Sequence, residues 1–324
     1  MDKKNLENLK SEMNALGFSE KLTAEMEKKM SDGLSEFTLT DQVKGIKGEM
    51  ELNLYFKQSS QSEFYYLNKF DVLKSEGRQL NAGENYRVTV NGESGQKVQN
   101  FERAYEAVGF FRAQGEPATI SIANGSKIEP LVTVQEGQVI LLDKDFGKTF
   151  RSPELPQTFW LDRGKGFSAN QAINLVEGRA VHRDDMLTQS GKAYQAWFKM
   201  DVDGPRDKYM NYSMNQYNDP SYGFNLTDVL DKFNIKELEK PELRAKLEQS
   251  LKNGDRAEAT VTKDGKKVQV LIEAEPRYSQ INVFNTQGKS EKREQFLKEP
   301  SQSKEASVSK SKEKNVSAEQ GLGI

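Results

Sequence analysis

Residues 158–185 read TFWLDRGKGFSANQAINLVEGRAVHRDD, and the work done by their glycines decides the fold. Gly164-x-Gly166-x-x-Ala169 stands between a strand-like and a helix-like run, with Asp184 about twenty positions on, which is the spacing of a dinucleotide-binding fingerprint. The surroundings read otherwise. A doubly wound sheet is covered on both faces, so its strands are near-continuous apolar runs. Here TFWL is short, and RAVHRDD offers Ala180 and Val181. A Walker loop fails because Lys165 is followed by Gly166 rather than Ser or Thr. The stretch reads as a turn from a strand into a helix. Gly164 and Gly166 make the turn and Ser168 caps the helix. Ala169, Ala172, Ile173 and Val176 form the buried stripe, and Gly178 ends the helix in the left-handed conformation.

Outward from there, hairpins dominate. KAYQAWFKMDV and KYMNYSMNQYN are expected to pair as strands across Asp203-Gly204-Pro205. LTDVLDKF is a short helix, and KPELRAKLEQSLKNG a longer one with Leu243, Leu247 and Leu251 on one face and Gly254 as its stop. RAEATVTKDGKKVQVLIEA places Asp264-Gly265 between two alternating runs, the mark of a type I′ hairpin, and QINVFN is the expected last strand.

Toward the N-terminus, Leu6, Leu9, Met13 and Leu16 keep one helical face, Gly17 breaks it, Ser19 is a cap, and Leu22, Met26 and Met30 repeat at four. MELNLYFKQ, EFYYLNKFDVL and NYRVTVNG are strands, the last ending in the turn pair Asn91-Gly92. Phe101, Ala104, Tyr105 and Val108 share a helical face, and ATISIA, LVTV and QVILL complete a strand-rich middle. The expected fold class is α+β: a helical hairpin over 1–35, a strand-rich region over 36–157 and a C-terminal α+β module of antiparallel strands with short helices over 158–287. A disordered tail is expected over 288–324, where Ser, Lys and Glu dominate and too little apolar surface exists to offset the entropy of ordering.

Composition excludes several chemistries. With no cysteine in 324 residues, disulfide scaffolds, Cys-ligated zinc, iron–sulfur sites and thiol nucleophiles are out. A net charge of -2 gives no overall cationic excess for non-specific nucleic-acid binding, although a local patch is compatible with it. No apolar run reaches the length of a signal peptide core or a membrane span, so a cytoplasmic protein with no membrane contact is expected. His182, the single histidine, stands beside Arg183, Asp184 and Asp185, where a general base is conceivable, but a solvated strand end is the expectation. Asp201, Asp203 and Asp207 lack the further ligands of a calcium loop. No catalytic, cofactor or metal residues are assigned. The most unusual composition is KYMNYSMNQYNDPSYGF, and Arg206, Lys208, Tyr209, Tyr212, Tyr217 and Tyr222 form the candidate binding face.

The combination of GKGFSANQAINLVEGRAVHRD, KAYQAWFKMD, YGFNLTDVL, IKELEKPE and SLKNGDRAEATVTKDGKKVQVLIEAEPRYSQINVFN resembles a domain-of-unknown-function family of Bacteroidota. ALGFSEKL, FTL, MELNLYFKQSSQSEFYYLNKFDV and QTFWLDRGKG extend the resemblance over most of residues 6–287. Members are typically encoded on conjugative transposons and related mobile elements, and they pass quickly from the FYYLNKFD-like hairpin to the TFWLDRGKG-like strand. Residues 76–156 therefore read as an insertion. The resemblance implies a setting rather than a chemistry. The expected function is a non-enzymatic accessory protein of a mobile element, working with a protein partner of its transfer or DNA-processing machinery. The alternatives are a nucleic-acid-binding module using the tyrosine-rich segment 208–224, and third, an enzyme with an unrecognised site.

Overall fold

The computed structural model describes residues 2–74, 80–92, 95–114, 117–151, 153–263 and 265–298. The spaced Leu and Met residues of the N-terminus form α1 (Lys3–Ala15) and α2 (Glu20–Ser31), with every one of the seven predicted face residues buried. Asp2 caps α1 by accepting from the Asn5 N–H at 2.7 Å. Ser19 stands at the N-cap of α2 but donates its hydroxyl to Asp41, 2.8 Å away, instead of capping. The helices share one core with the strands that follow, and the Asn5 side chain fixes them there by bonding both the N–H and the carbonyl of Tyr65, at 2.8 and 3.1 Å.

Those strands are β1 (Glu36–Lys44), β2 (Glu49–Gln58) and β3 (Tyr65–Lys74). The chain then leaves this sheet and builds β4 (Asn85–Gly92), β5 (Gly95–Phe101), α3 (Ala104–Arg112), β6 (Ala118–Asn124), β7 (Lys127–Gln135), β8 (Gln138–Leu142) and α4 (Gly147–Arg151). These make a separate five-stranded sheet in the order β5–β4–β6–β7–β8, with its own core around Tyr86, Val88, Phe111, Ile120, Val132 and Phe146. The chain returns as β9 (Gln157–Trp160), which pairs with β3 and completes a first sheet in the order β1–β2–β3–β9. Two local expectations are corrected. Asn91 and Gly92 are paired rungs of the β4–β5 hairpin, opposite Gln96 and Gly95, so the connection falls on 93–94, outside the described residues. Phe101 ends β5, where sheet pairing overrides the helical spacing, and α3 buries Ala107, Val108 and Phe111 instead.

From the glycine turn onward come α5 (Ala169–Val176), β10 (Ala180–Leu187), β11 (Ala193–Met200) and β12 (Met214–Asp219), the three strands forming a second sheet. Then follow α6 (Leu226–Leu230), α7 (Pro241–Lys252), β13 (Ala257–Lys263), β14 (Lys266–Glu275), β15 (Gln280–Phe284) and β16 (Ser290–Glu291). The last four strands pair in chain order. The β10–β12 sheet is buried on both faces. Alternation sends Val181, Ala196, Phe198 and Met200 into the core beneath the first sheet, while Ala180, Trp197 and Tyr217 enter the core of the C-terminal sheet.

Every strand pairing among the described residues is antiparallel, so the molecule is α+β with no βαβ unit that could host a dinucleotide fold. Further corrections come from the C-terminal half. Residues 208–213 are loop, with Met210 at φ 65°, and the strand starts at Met214. Leu243 is 40% exposed although Leu247 and Leu251 are buried, because a run of fours rotates about 40° per step off a helix face. Asp264 lies outside the described residues, whereas Gly265 sits at φ 74° in the two-residue hairpin connection. QINVFN is not the last element. β16 pairs with β15, and a short 3₁₀ turn (Arg293–Phe296) carries Phe296, 2% exposed, into the core beside Phe233. Residues 288–298 are thus packed structure rather than tail, and residues 299–324 lie outside the described residues.

Candidate functional site

The glycine turn serves the backbone. Asp162 and Lys165 exchange N–H···O bonds of 2.8 and 3.0 Å across it, with Gly164 at φ 74°. A Cβ on Gly166 would stand 2.4 Å from Leu161 Cδ2 and 3.1 Å from the Trp160 carbonyl oxygen. Amides at the head of the helix are already engaged. The Ala169 N–H donates to the Leu16 carbonyl at 2.8 Å, and Ser168 and Gln171 close a reciprocal capping box through bonds of 3.2 Å in each direction.

Beside the turn opens a polar cleft of about 410 Å³, lined by Lys165, Ser168, His182, Arg183, Asp184 and Lys252 among others. His182 is buried here rather than solvated. The second sheet is covered on both faces, which a strand-end position in the sequence does not disclose. Its Nε2 lies 3.1 Å from Asp219 Oδ2 and its ring packs at 5.1 Å on Trp197. Burial pushes its pKa below the ordinary value, and the Asp219 bond opposes that only in part, so the ring is neutral at pH 7. Arg183 forks onto Asp185 through two bonds of 2.8 Å. Asp207 accepts from the N–H groups of Tyr209 and Asn211, both at 2.9 Å, so this carboxylate shapes its own loop. Among the described residues no group of three or more acidic or histidine side chains could hold a metal ion.

The six candidate face residues fall into two places. Arg206 is a bracket: its guanidinium donates to the carbonyls of Leu155 and Pro156 at 2.9 and 3.2 Å, donates also to Met210, and stacks 4.0 Å over Tyr212. Lys208 lies 4.9 Å over Tyr209, whose ring is open to water at 71% exposure. Tyr217 is on β12 and buried, edge-on to Tyr222 at 4.8 Å, while the Tyr222 hydroxyl donates to the Arg277 carbonyl. Arg206, Lys208, Tyr209 and Tyr212 thus belong to the loop before β12, and Tyr217 and Tyr222 to its far end.

The larger open surface was not singled out from the sequence. Helices cover the inner face of the first sheet, where Leu52, Leu54, Phe56 and Phe70 point. On the outer face one row of paired residues runs Thr38, Tyr55, Lys69, Trp160 across all four strands. The register slips between Tyr55 and Phe56, which leaves Asn68 as a bulge, and both Asn68 and Lys69 then face outward. Trp160 is 70% exposed, leaving on the order of 150 Å² of side chain in water. The Lys69 ammonium sits 4.6 Å from the Tyr55 ring and 5.7 Å from the Trp160 ring. Together with Lys57, Asn68 and Glu36 these residues line a trough of about 450 Å³. A second hollow that shares Lys57 and Asn68 adds Tyr66.

Neighbouring rows bound this surface. Arg103 of the five-stranded module donates to Glu51 Oε1 and Asn53 Oδ1 at 2.8 and 2.7 Å, and so covers the next rungs of β2. Tyr55 links the covered and open rows by donating to Asp71 at 2.8 Å, and burial together with that carboxylate pushes its ionisation upward. Along the outer edge of β9 the Tyr209 loop is tied down: the Asn211 side chain accepts the Thr158 N–H at 2.8 Å and Gln157 accepts the Tyr212 N–H at 2.9 Å. The signal for Trp160 was present in TFWL, since alternation with buried Phe159 and Leu161 sends Thr158 and Trp160 outward.

No helix among the described residues is long and apolar enough to cross a membrane. Comparison of the chain with family models, with curated proteins and with solved structures finds no match.

Proposed function

We propose that this chain is a non-catalytic binding module, a cytoplasmic accessory to the transfer or DNA-processing machinery of a mobile element, and that it holds its partner on the outer face of the first sheet. The resemblance over residues 6–287 motivates the setting. One observation carries the surface: Trp160 stands 70% exposed in a row with Lys69 and Tyr55, over a sheet whose other face is sealed by helices. A sheet so braced is rigid, and a large aromatic held in water on a rigid support is a preformed contact that loses little entropy on binding. The cleft at His182 supports chemistry less well: the ring is buried, Asp219 holds its Nε2, and among the described residues no hydroxyl hydrogen-bonds the ring as a nucleophile would. The test is affinity capture from the native cell with the wild-type chain and with Trp160→Ala. The expected result is loss of the main captured species with the variant. An unchanged set of captured species would overturn the assignment of this face.

A further inference from the structure

Resting on that assignment of the face, we propose that its ligand is single-stranded nucleic acid, with a base stacked on Trp160 and backbone phosphates held at Lys69 and Lys57. Each part of such a strand has a counterpart on the trough. A nucleobase is a planar π system, and the exposed indole offers a face for it whatever its sequence. Tyr55 and Tyr66 place further rings on the same side of the sheet. Phosphates need cations that are not already neutralised. Among the described residues Lys69 meets rings rather than a carboxylate, so no anion competes there with an incoming phosphate while the rings hold the ammonium in place. Lys57 is paired with Glu36 at 2.7 Å, but both side chains are well exposed, so a phosphate can compete for the ammonium in water. Asn68, turned outward by the bulge, supplies an amide that both donates and accepts, as base edges do.

The alternative occupant, an extended peptide, would use a different part of the sheet. Strand addition needs a free sheet edge with unpaired N–H and C=O groups. At β9 that edge is obstructed, because Asn211 accepts the Thr158 N–H and the Arg206 guanidinium occupies the preceding carbonyls of Leu155 and Pro156. The trough runs across the strands, from Thr38 to Trp160, so what lies in it meets side chains rather than an edge. Duplex DNA fits less well, since its bases are stacked on one another and cannot reach an indole without being unpaired.

The experiment uses the full chain and a fluorescent oligothymidylate, read by anisotropy at low salt, beside a duplex of equal length. Expected are preference for the single strand and a plot of log K against log salt with slope about −1.4, the value for two phosphates on a single strand. Trp160→Ala should weaken binding by roughly 5- to 150-fold, the span of one lost base stack, and Trp160→Phe by less. Lys69→Gln should reduce the salt slope to about −0.7. Because these side chains are on the surface, the variants should keep the wild-type unfolding midpoint. Absence of single-strand binding, or binding indifferent to Trp160→Ala, overturns the nucleic-acid assignment. If in that case a displayed peptide library yields binders that Trp160→Ala abolishes, the face survives as the binding surface with another occupant. If it yields none, the face itself is overturned.

Discussion

Replacing Gly166 by alanine tests whether the glycine turn is built for packing. The new methyl would lie 2.4 Å from Leu161 Cδ2, and real Cβ contacts essentially never fall below 3.0 Å, so the leucine tip must retreat by at least the difference. It has little room, since Leu161 is 7% exposed within the main core and its own N–H is tied to the Asn68 carbonyl at 2.8 Å. On the other side the Trp160 carbonyl stands at 3.1 Å and belongs to the backbone. Overpacking of this kind costs about 1–3 kcal/mol. The assay is urea unfolding of the wild type, Gly166→Ala, Leu161→Ala and the double variant. Leu161→Ala alone loses about 2–5 kcal/mol, but it removes the atom that Gly166→Ala strikes. The double variant should therefore be more stable than the sum of the singles, with a coupling of roughly 0.5–3 kcal/mol. Strict additivity, or a Gly166→Ala protein as stable as the wild type, would refute the packing explanation and reopen the turn as a place where backbone must approach a ligand.

Other expectations follow from the same geometry. Phe296→Ala should destabilise the chain by about 3–5 kcal/mol in the same urea assay, because the ring is buried beside Phe233. Arg103→Ala should speed amide exchange across β4–β8 while leaving β13–β15 unaffected, at a cost of about 1–3 kcal/mol. Arg103→Lys should not restore protection, since the planar fork that reaches both Glu51 and Asn53 is lost. His182 has its folded pKa held below the ordinary 6.5, so the unfolded chain takes up the proton first as the pH falls. Its contribution to stability is full above 6.5 and declines as the pH drops toward the folded value. Thermal midpoints between about pH 7.5 and about pH 5 should fall less steeply in His182→Phe than in the wild type.

What was readable in the chain was local. Leu6 to Met30 declared two helices because three- and four-residue spacings stand out among charged neighbours, and the hairpin over 257–275 declared itself by two alternating runs about a turn. The turn at Gly164–Gly166 was legible because two glycines are followed by Ser168 as a cap, and the structure adds Gln171, which closes the capping box. Readings failed where distant layers decide. His182 looks like a solvated strand end until the C-terminal sheet closes over its strand. Phe296 lies in a run of polar residues, and one aromatic is enough to anchor it only because a core is waiting. Trp160 is the opposite case: a large apolar residue counts toward a core in any composition, and the signal that turns it outward is the alternation of one short strand, with Phe159 and Leu161 buried on either side. The tyrosine-rich segment was noticed for its composition, yet Arg206 and Tyr212 stack to hold the loop and Tyr217 is packed inside.

The departure from β3 and the return into β9 occur on neighbouring strands, where Val72 faces Gln157 and Lys74 reaches Glu154 at 3.9 Å. The two ends are thus about one strand spacing apart, roughly 5 Å. A foreign domain whose own termini lie close together could be spliced into this port in place of the five-stranded module, and the first sheet would close as before. The same port allows excision: a short polar loop joining the two strands should yield a smaller protein in which the rungs at Glu51 and Asn53 are uncovered, so that the open face is widened beside the Trp160 row.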